Sequence, residues 1–160
     1  MDEQSRKLIE ELFGKEDYNE ILKLTDTLLS RDSQEEDLHL YKALCLKAMK
    51  NYEESLKSFD QSIFLNPHNG ITFYSKGNLH YENEKWSLAV QCYNQAIDIN
   101  AKVNFYSKEN PNFLIKEYEN AIKHYENALK NAGSIPTQIT KRKSSIETYE
   151  KLKAEHVFDK

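Results

Sequence analysis

One pattern of bulky and small positions occurs four times along the chain. Each copy has a bulky residue, then a small or aliphatic one three positions later, an aromatic or polar one four positions further on, and another small or aliphatic one after three more. The copies are Tyr18, Ile21, Thr25 and Leu28; Tyr52, Ser55, Phe59 and Ser62; Trp86, Ala89, Tyr93 and Ala96; and Tyr118, Ala121, Tyr125 and Ala128. Steps of three and four follow one face of a helix, and the copies begin at the nearly regular positions 18, 52, 86 and 118. A fixed period of this length is typical of a solenoid.

Residues 36–69 show the repeated unit most clearly. Apolar residues at helical spacing predict a first helix that is contacted on two sides, namely Leu38, Tyr41, Ala43, Leu44, Leu46 and Ala48. Lys50-Asn51 is predicted to be a turn, and Tyr52 begins a second helix that runs through Leu65. Pro67 ends this second helix, because proline cannot continue the hydrogen-bond ladder and disfavours helical geometry in the residue before it. The unit is therefore predicted to be helix, short turn, helix.

This unit resembles the tetratricopeptide repeat, a helix–turn–helix module whose period matches the spacing of the copies. The residues that carry the resemblance in the second copy are Ala43, Tyr52, Ser55, Phe59, Ser62 and Pro67, and in the third copy Phe73, Gly77, Trp86, Ala89, Tyr93 and Ala96. The small residues have a physical reason. Where two helices cross closely, a glycine, alanine or serine leaves room for an aromatic ring of the other helix.

The resemblance implies an all-α fold, a right-handed superhelix of about four helix pairs in a single domain over residues 1–160. The predicted repeats are 2–35, 36–69, 70–101 and 102–134. In the fourth, Pro111 is expected to break the helix, leaving a short helix near 102–109 and a longer one from about 112 to 131. A last amphipathic helix at 136–157 is expected to cap the array, although a partner-binding helix held away from the body is the alternative.

Composition narrows the classes of function. Charged residues make up 30% of the chain, which has only four glycines and three prolines, as suits helices with one solvated face. The net charge of -4 argues against nucleic acid as the main ligand. Cys45 and Cys92 are expected to be reduced, buried thiols. With no apolar stretch long enough for a signal peptide or a membrane span, the expected location is the cytoplasm, with the nucleus as the alternative.

Catalytic chemistry is not indicated by any motif. The five histidines show no metal-ligand spacing, neither cysteine has a ligand partner nearby in sequence, and the four glycines form no phosphate-binding loop. The sequence therefore predicts a protein that is not an enzyme and that uses no metal and no cofactor.

The resemblance implies a binding surface instead, because the first helix of each tetratricopeptide repeat lines a concave groove that takes an extended peptide or a helix. Carried over by register, that groove would present Leu40, Tyr41, Leu44, Tyr74, Ser75, Asn78, Tyr81, Tyr106, Ser107 and Asn110. Asn78 and Asn110 are equivalent, and side-chain amides can both donate to and accept from a peptide backbone. Tyrosines add aromatic area with a polar tip, which suits interface anchors. The alternative is that the tyrosines only cover the inner helices and the asparagines are solvated.

One known use of such grooves is disfavoured. Tetratricopeptide proteins that grip the C-terminal carboxylate of heat-shock proteins need lysines, asparagines and an arginine on three successive first helices. The corresponding residues here are Arg6, Glu10, Tyr41, Ile71 and Ser75 in one register, and Leu40, Leu44, Ser75, Val103 and Ser107 in the other. Neither set can hold a carboxylate through charge-assisted hydrogen bonds.

Three hypotheses for function follow. The favoured one is an adaptor, scaffold or assembly factor that binds a peptide or partner subunit in the groove. The second is a structural subunit of a larger complex, docked through its convex face and C-terminal helix. The third is an RNA-binding helical-repeat protein, which the acidic charge makes the weakest. A basic cluster at 141–145 is either a kinase site, a nuclear signal or an ordinary solvated helix face.

Overall fold

The computed structural model describes residues 1–103, 123–124, 126–128 and 130–131, and across these residues it contains helices and no strand. The helices are α1 (Glu3–Gly14), α2 (Tyr18–Arg31), α3 (Glu36–Ala48), α4 (Tyr52–Leu65), α5 (Gly70–Glu82) and α6 (Trp86–Val103). They form three hairpins, in which α1, α3 and α5 are the first helices and α2, α4 and α6 the second. Each hairpin packs on the next in chain order. The predicted all-α class is confirmed.

The turn inside each hairpin is built in the same way. One residue per turn has a positive φ, and these residues recur once per repeat: Glu16 at 56°, Lys50 at 60° and Glu84 at 57°. The residue after each of them donates its backbone N–H to a carbonyl of the preceding first helix, in the bonds Asp17 to Leu12, Asn51 to Leu46 and Lys85 to His80, at 3.0, 2.8 and 2.9 Å. A closure of this kind commonly ends a helix at a left-handed residue.

The hydrophobic core is divided among the junctions between hairpins. Ile9, Ile21, Leu38 and Cys45 fill the first junction, and Leu40, Ala43, Phe59 and Leu79 fill the second. The third cluster contains Ala89, Val90, Tyr93 and Ile97 of α6 together with Ala128. A solenoid stabilises itself in this way, because each unit contacts only its neighbours.

Small residues admit aromatic rings where helices cross, as the sequence predicts. A Cβ atom placed on Gly77 of α5 would lie 2.6 Å from Cε1 of Tyr93 in α6, so only glycine fits beneath that ring. In the preceding hairpin the buried hydroxyl of Ser55 donates to the backbone carbonyl of Ala43 at 2.8 Å, again because both residues are small enough to meet.

Polar contacts also repeat between hairpins. Lys42 of α3 donates to Asp26 of α2 at 2.6 Å, and the equivalent pair one repeat later, Lys76 and Asp60, is joined at the same distance. The next position in this series is Asn94, which carries no charge. The acidic residue of this series is therefore not repeated in α6.

Glu36, the first residue of α3, joins three elements through one carboxylate oxygen. Its Oε1 accepts hydrogen bonds from the Ser62 hydroxyl at 2.8 Å, the Asn69 amide at 2.8 Å and the Thr72 hydroxyl at 3.2 Å. The carboxylate thus ties the start of α3 to the end of α4 and the start of α5.

The packing of Ala128 bears on the predicted fourth repeat. Register placed it in the second helix of a fourth repeat, and the equivalent Ser62 bonds to Glu36 and contacts Thr72, which belong to first helices. Ala128 instead packs on α6, as Leu79 of the first helix α5 packs on Phe59 of α4. In this one contact Ala128 resembles a first-helix residue that packs on the preceding second helix, and the fourth repeat at 102–134 stays a prediction.

The remaining predictions for this part of the chain concern residues outside those described. These are the helix break at Pro111, nearly all of the short helix near 102–109, the capping helix at 136–157 and the basic cluster at 141–145. Lys102 and Val103 belong to α6, so the predicted boundary between residues 101 and 102 falls inside a helix.

Candidate functional site

Both cysteines are free and buried. Burial raises the pKa of the Cys45 thiol to about 12 and that of Cys92 to about 11, so both are protonated near pH 7. His80 is buried too, and burial, followed by the charge of Lys76, lowers its pKa to about 4. Its Nδ1 lies 2.8 Å from the Tyr52 hydroxyl. In the described part of the chain, no three acidic, histidine or cysteine side chains come together as metal ligands would.

Helix length and hydropathy bear on membrane insertion. Among the described helices, none combines the length and the apolar character that crossing a bilayer requires.

Two residues predicted to line the groove belong to the interior instead. Leu40 is 8% exposed and packs with Ala43, Phe59 and Leu79, and Ser75 is also 8% exposed. Their assignment to a partner-binding surface is corrected by this burial. On α3 and α5 the hydrophobic stripe is wide enough to face two neighbours, and spacing alone does not show which positions lie at its edge.

Five predicted groove residues are half-buried, namely Tyr41, Leu44, Tyr74, Asn78 and Tyr81. They lie on α3 and α5, and we call them, with the adjoining face of α1, the first-helix surface. Tyr106, Ser107 and Asn110 lie outside the described residues.

At the α1 end of the first-helix surface, the ring of Tyr41 lies 6.0 Å from that of Phe13. Burial raises the pKa of Tyr41, and the negative charge of Glu10 adds to this effect. Nearby, Arg6 donates to Asp37 at 2.7 Å, which joins α1 to α3. The one arginine at this end is therefore already paired within the protein.

The middle of the surface lies between α3 and α5. Leu44 packs against the core cluster of the second junction, and Lys47 forms an ion pair with Glu82 at 2.6 Å. Successive first helices are thus joined by one ion pair at each end of α3. Both basic side chains already have acidic partners.

Asn78 has an internal role. Its Oδ1 accepts a hydrogen bond from the hydroxyl of Tyr93 at 2.8 Å, and Tyr93 is fully buried. Burial raises the pKa of Tyr93, so the hydroxyl is protonated and donates. The bond orients the amide of Asn78 on the half-buried face of α5.

At the far end, the surface meets an aromatic cluster that sequence reasoning missed. The ring of His124 lies 6.0, 5.7 and 5.8 Å from those of Tyr74, Tyr81 and Tyr93, and Tyr81 lies 5.0 Å from Trp86. Burial lowers the pKa of His124, with further contributions from Lys123 and Lys47. No local signal identifies His124, because its partners lie in α5 and α6, far from it along the chain.

An open pocket of about 340 Å³ lies on a different side of α5. It is lined by Lys76, His80, Leu88, Gln91, Cys92, Asn94 and Gln95. Lys76 is paired with Asp60 and His80 faces Tyr52, so both contact α4. The pocket therefore lies apart from the first-helix surface, and two of its ionisable residues, Lys76 and His80, are partnered by residues of α4.

Comparison with known proteins identifies the class of fold. No family model matches the chain. The probable UDP-N-acetylglucosamine–peptide N-acetylglucosaminyltransferase SPINDLY of Arabidopsis thaliana is 28% identical over 80 residues, which is 50% of this chain and 9% of that protein. The match thus spans less than a tenth of its length.

Two solved structures superpose well. PcrH in complex with the chaperone binding region of PopD has a TM-score of 0.71 at 14% identity, over 82% of this chain and 92% of that one. The TPR2B domain of yeast Sti1, in complex with pHsp70, has a TM-score of 0.62 at 18% identity, over 76% of this chain and 95% of that domain. The fold is therefore a tetratricopeptide-like helical-repeat solenoid, which confirms the resemblance predicted from the sequence.

Proposed function

We propose that this protein is a non-catalytic, cytoplasmic interaction module that binds a peptide or a partner subunit across its first-helix surface. The observation that carries the proposal is the half-buried row of Tyr41, Leu44 and Asn78, each held in position from within the protein. Side chains that are already ordered lose little entropy on binding, and tyrosine is common among interface anchors. A structural neighbour, PcrH, is in complex with a region of PopD, and another, from Sti1, with pHsp70.

The absence of catalysis is part of the proposal. The chain resembles a transferase over only 9% of that protein, and this likeness gives no reason to assign its activity here. The two cysteines are protonated, and His80 is neutral and buried. These groups are suited to packing between helices.

The partner is proposed to bind through aromatic and apolar contacts rather than a terminal carboxylate. Arg6 and Lys47 are the basic residues found at the two ends of α3, and both are neutralised by Asp37 and Glu82. Gripping a carboxylate would require breaking these pairs. This adds a second reason to disfavour a heat-shock protein tail as the ligand.

Affinity capture with the full chain tests the proposal. The triple variant Tyr41→Ala, Leu44→Ala and Asn78→Ala is expected to lose the captured partner. Circular dichroism and thermal unfolding check that its helices persist. Capture of the same proteins at the same yield by a folded triple variant would refute the proposal.

A second candidate function is a structural subunit that docks through its second helices. Phe64 of α4 is 78% exposed and Leu88 of α6 is 43% exposed, so both could bury apolar area in a complex. The variant Phe64→Ser with Leu88→Ser serves as the matched control for the triple variant. Loss of the partner in this double variant alone would favour the structural subunit over the adaptor.

A further inference from the structure

We infer that the helical segment formed by residues 123, 124, 126–128, 130 and 131 docks on the third hairpin and covers Tyr74 and Tyr81, so that a partner reaches those tyrosines only by displacing it. We call these residues the 123–131 segment. The second half of this statement rests on the proposed function, while the docking itself does not.

The first observation is the aromatic environment of His124. Its ring lies within 6.0 Å of three tyrosine rings, Tyr74 and Tyr81 on α5 and Tyr93 on α6. Two of the three contacts are edge-on or nearly so, the arrangement that aromatic rings prefer. Burial lowers the pKa of His124, so the ring is neutral near pH 7 and can pack among the tyrosine rings without burying a charge.

The second observation is Ala128, one helical turn beyond His124 and therefore on the same face. Ala128 is fully buried and packs with Ala89, Val90, Tyr93 and Ile97 of α6. One face of the segment thus contacts both helices of the third hairpin. Its other described residues include the exposed Lys123, Glu126, Lys130 and Asn131. A polar outer face and an apolar inner face are what a docked helix requires.

The third observation is that the acidic residue of the earlier cross-hairpin ion pairs is not repeated in α6. Asp26 pairs with Lys42 and Asp60 with Lys76, whereas the next position in the series is the uncharged Asn94. Among the described residues, the contacts that hold the segment are those of His124 with the tyrosine rings and of Ala128 with α6.

The consequence for binding is a division of the first-helix surface. Tyr41 and Leu44 are available to a partner in the state described, whereas Tyr74 and Tyr81 are occupied by the chain itself. A partner that needs the whole surface competes with the 123–131 segment for the α5 end.

Hydroxyl-radical footprinting of the full chain, read by mass spectrometry, tests the docking without any partner. His124→Asp places a charge among the tyrosine rings, and His68→Asp in the exposed α4–α5 loop is the matched control. Oxidation of Tyr74 and Tyr81 is expected to be several-fold faster in His124→Asp than in wild type or in the control, with Tyr41 unchanged. Equal rates at Tyr74 and Tyr81 in all three proteins would overturn the docking.

If Tyr41 also becomes reactive, His124→Asp has unfolded the helical hairpins, and a measurement on the wild-type protein then tests the docking. Lys47 pairs with Glu82, which follows Tyr81, and the ring of Tyr81 lies 5.7 Å from that of His124. Lys47 and Lys123 are therefore expected to be joined by a short amine-reactive cross-linker. Finding no such link, while other neighbouring lysines are linked, would overturn the docking.

Competition is tested separately with the protein captured by the wild-type chain. We expect it to bind folded His124→Asp several-fold more tightly than wild type, because the α5 end is uncovered. Unchanged or weaker binding would overturn the competition but leave the proposed function intact. Failure of the first-helix variants to affect capture would instead refute the proposed function and leave the footprinting result standing.

Discussion

Replacing Gly77 with alanine tests the packing on which the third hairpin depends. The added Cβ would lie 2.6 Å from Cε1 and 2.7 Å from Cδ1 of Tyr93, whereas ordinary van der Waals contact begins at 3.4 Å. The ring or the helix must therefore move by roughly 0.8 Å to accept the methyl group. Tyr93 is fully buried, and its hydroxyl is held by Asn78 at 2.8 Å, so the ring has little freedom to withdraw.

The size of the effect follows from two opposing contributions. Overpacking a well-filled core costs about 1–3 kcal/mol. Alanine is favoured over glycine inside a helix by about 1 kcal/mol, which offsets part of that cost. We expect Gly77→Ala to lower the free energy of unfolding by up to about 2 kcal/mol.

Urea unfolding, followed by circular dichroism and by the fluorescence of Trp86, measures this change. Gly14→Ala at the end of α1 is the matched control, because a Cβ there meets nothing within 4 Å, and it should be neutral or slightly stabilising. Tyr93→Phe frees the ring from Asn78, so Gly77→Ala should cost less in that background. A urea midpoint for Gly77→Ala at or above that of wild type, with an unchanged slope, would refute the reasoning.

Three further predictions concern the second and third hairpins. Because the pKa of His80 is about 4 in the folded protein and about 6.5 when unfolded, the unfolded chain takes up the proton first as pH falls. The contribution of His80 to the free energy of unfolding is therefore full above pH 6.5, and up to about 3 kcal/mol of it is lost as the pH falls towards 4. Urea midpoints of wild type and of His80→Asn, measured across this range, should diverge as the pH falls. Parallel plots of midpoint against pH would contradict this. Lys50→Gly relieves the backbone strain of a positive φ of 60° and should stabilise the protein by about 1 kcal/mol. Lys57→Gly inside α4 is the control and should destabilise it by a similar amount. Thermal unfolding of both variants gives the two signs, and changes of the same sign would disprove strain at Lys50. Glu36→Ala leaves three donors without their shared acceptor and should lower the free energy of unfolding, measured in urea, by about 1–3 kcal/mol. Glu53→Ala at an exposed position is the control and should change it very little. Equal effects of the two variants would show that the shared acceptor is unimportant.

The repeated hairpins could be predicted from sequence because their causes are local. Small and bulky residues at steps of three and four define a helix face, and Lys50 and Pro67 mark a turn and a stop close to the helix ends. The structure places helix ends at Ala48 and Leu65, next to these signals. The close approach of Gly77 and Tyr93 can also be predicted, because small and aromatic residues recur at these positions of the repeat. The prediction needs no knowledge of contacts between distant parts of the chain.

What the tertiary structure alone decided is which side chains remain available. Leu40 and Ser75 share helices with exposed positions, yet both are buried in the folded protein, Leu40 in a cluster with Leu79 of the next hairpin. His124 meets Tyr74 and Tyr81 from a distant part of the chain, and Ala128 packs on α6 although its register assigned it to a second helix. Spacing along a chain determines which residues share one helix face, whereas the helix that covers that face is chosen by the free energy of packing among all available surfaces.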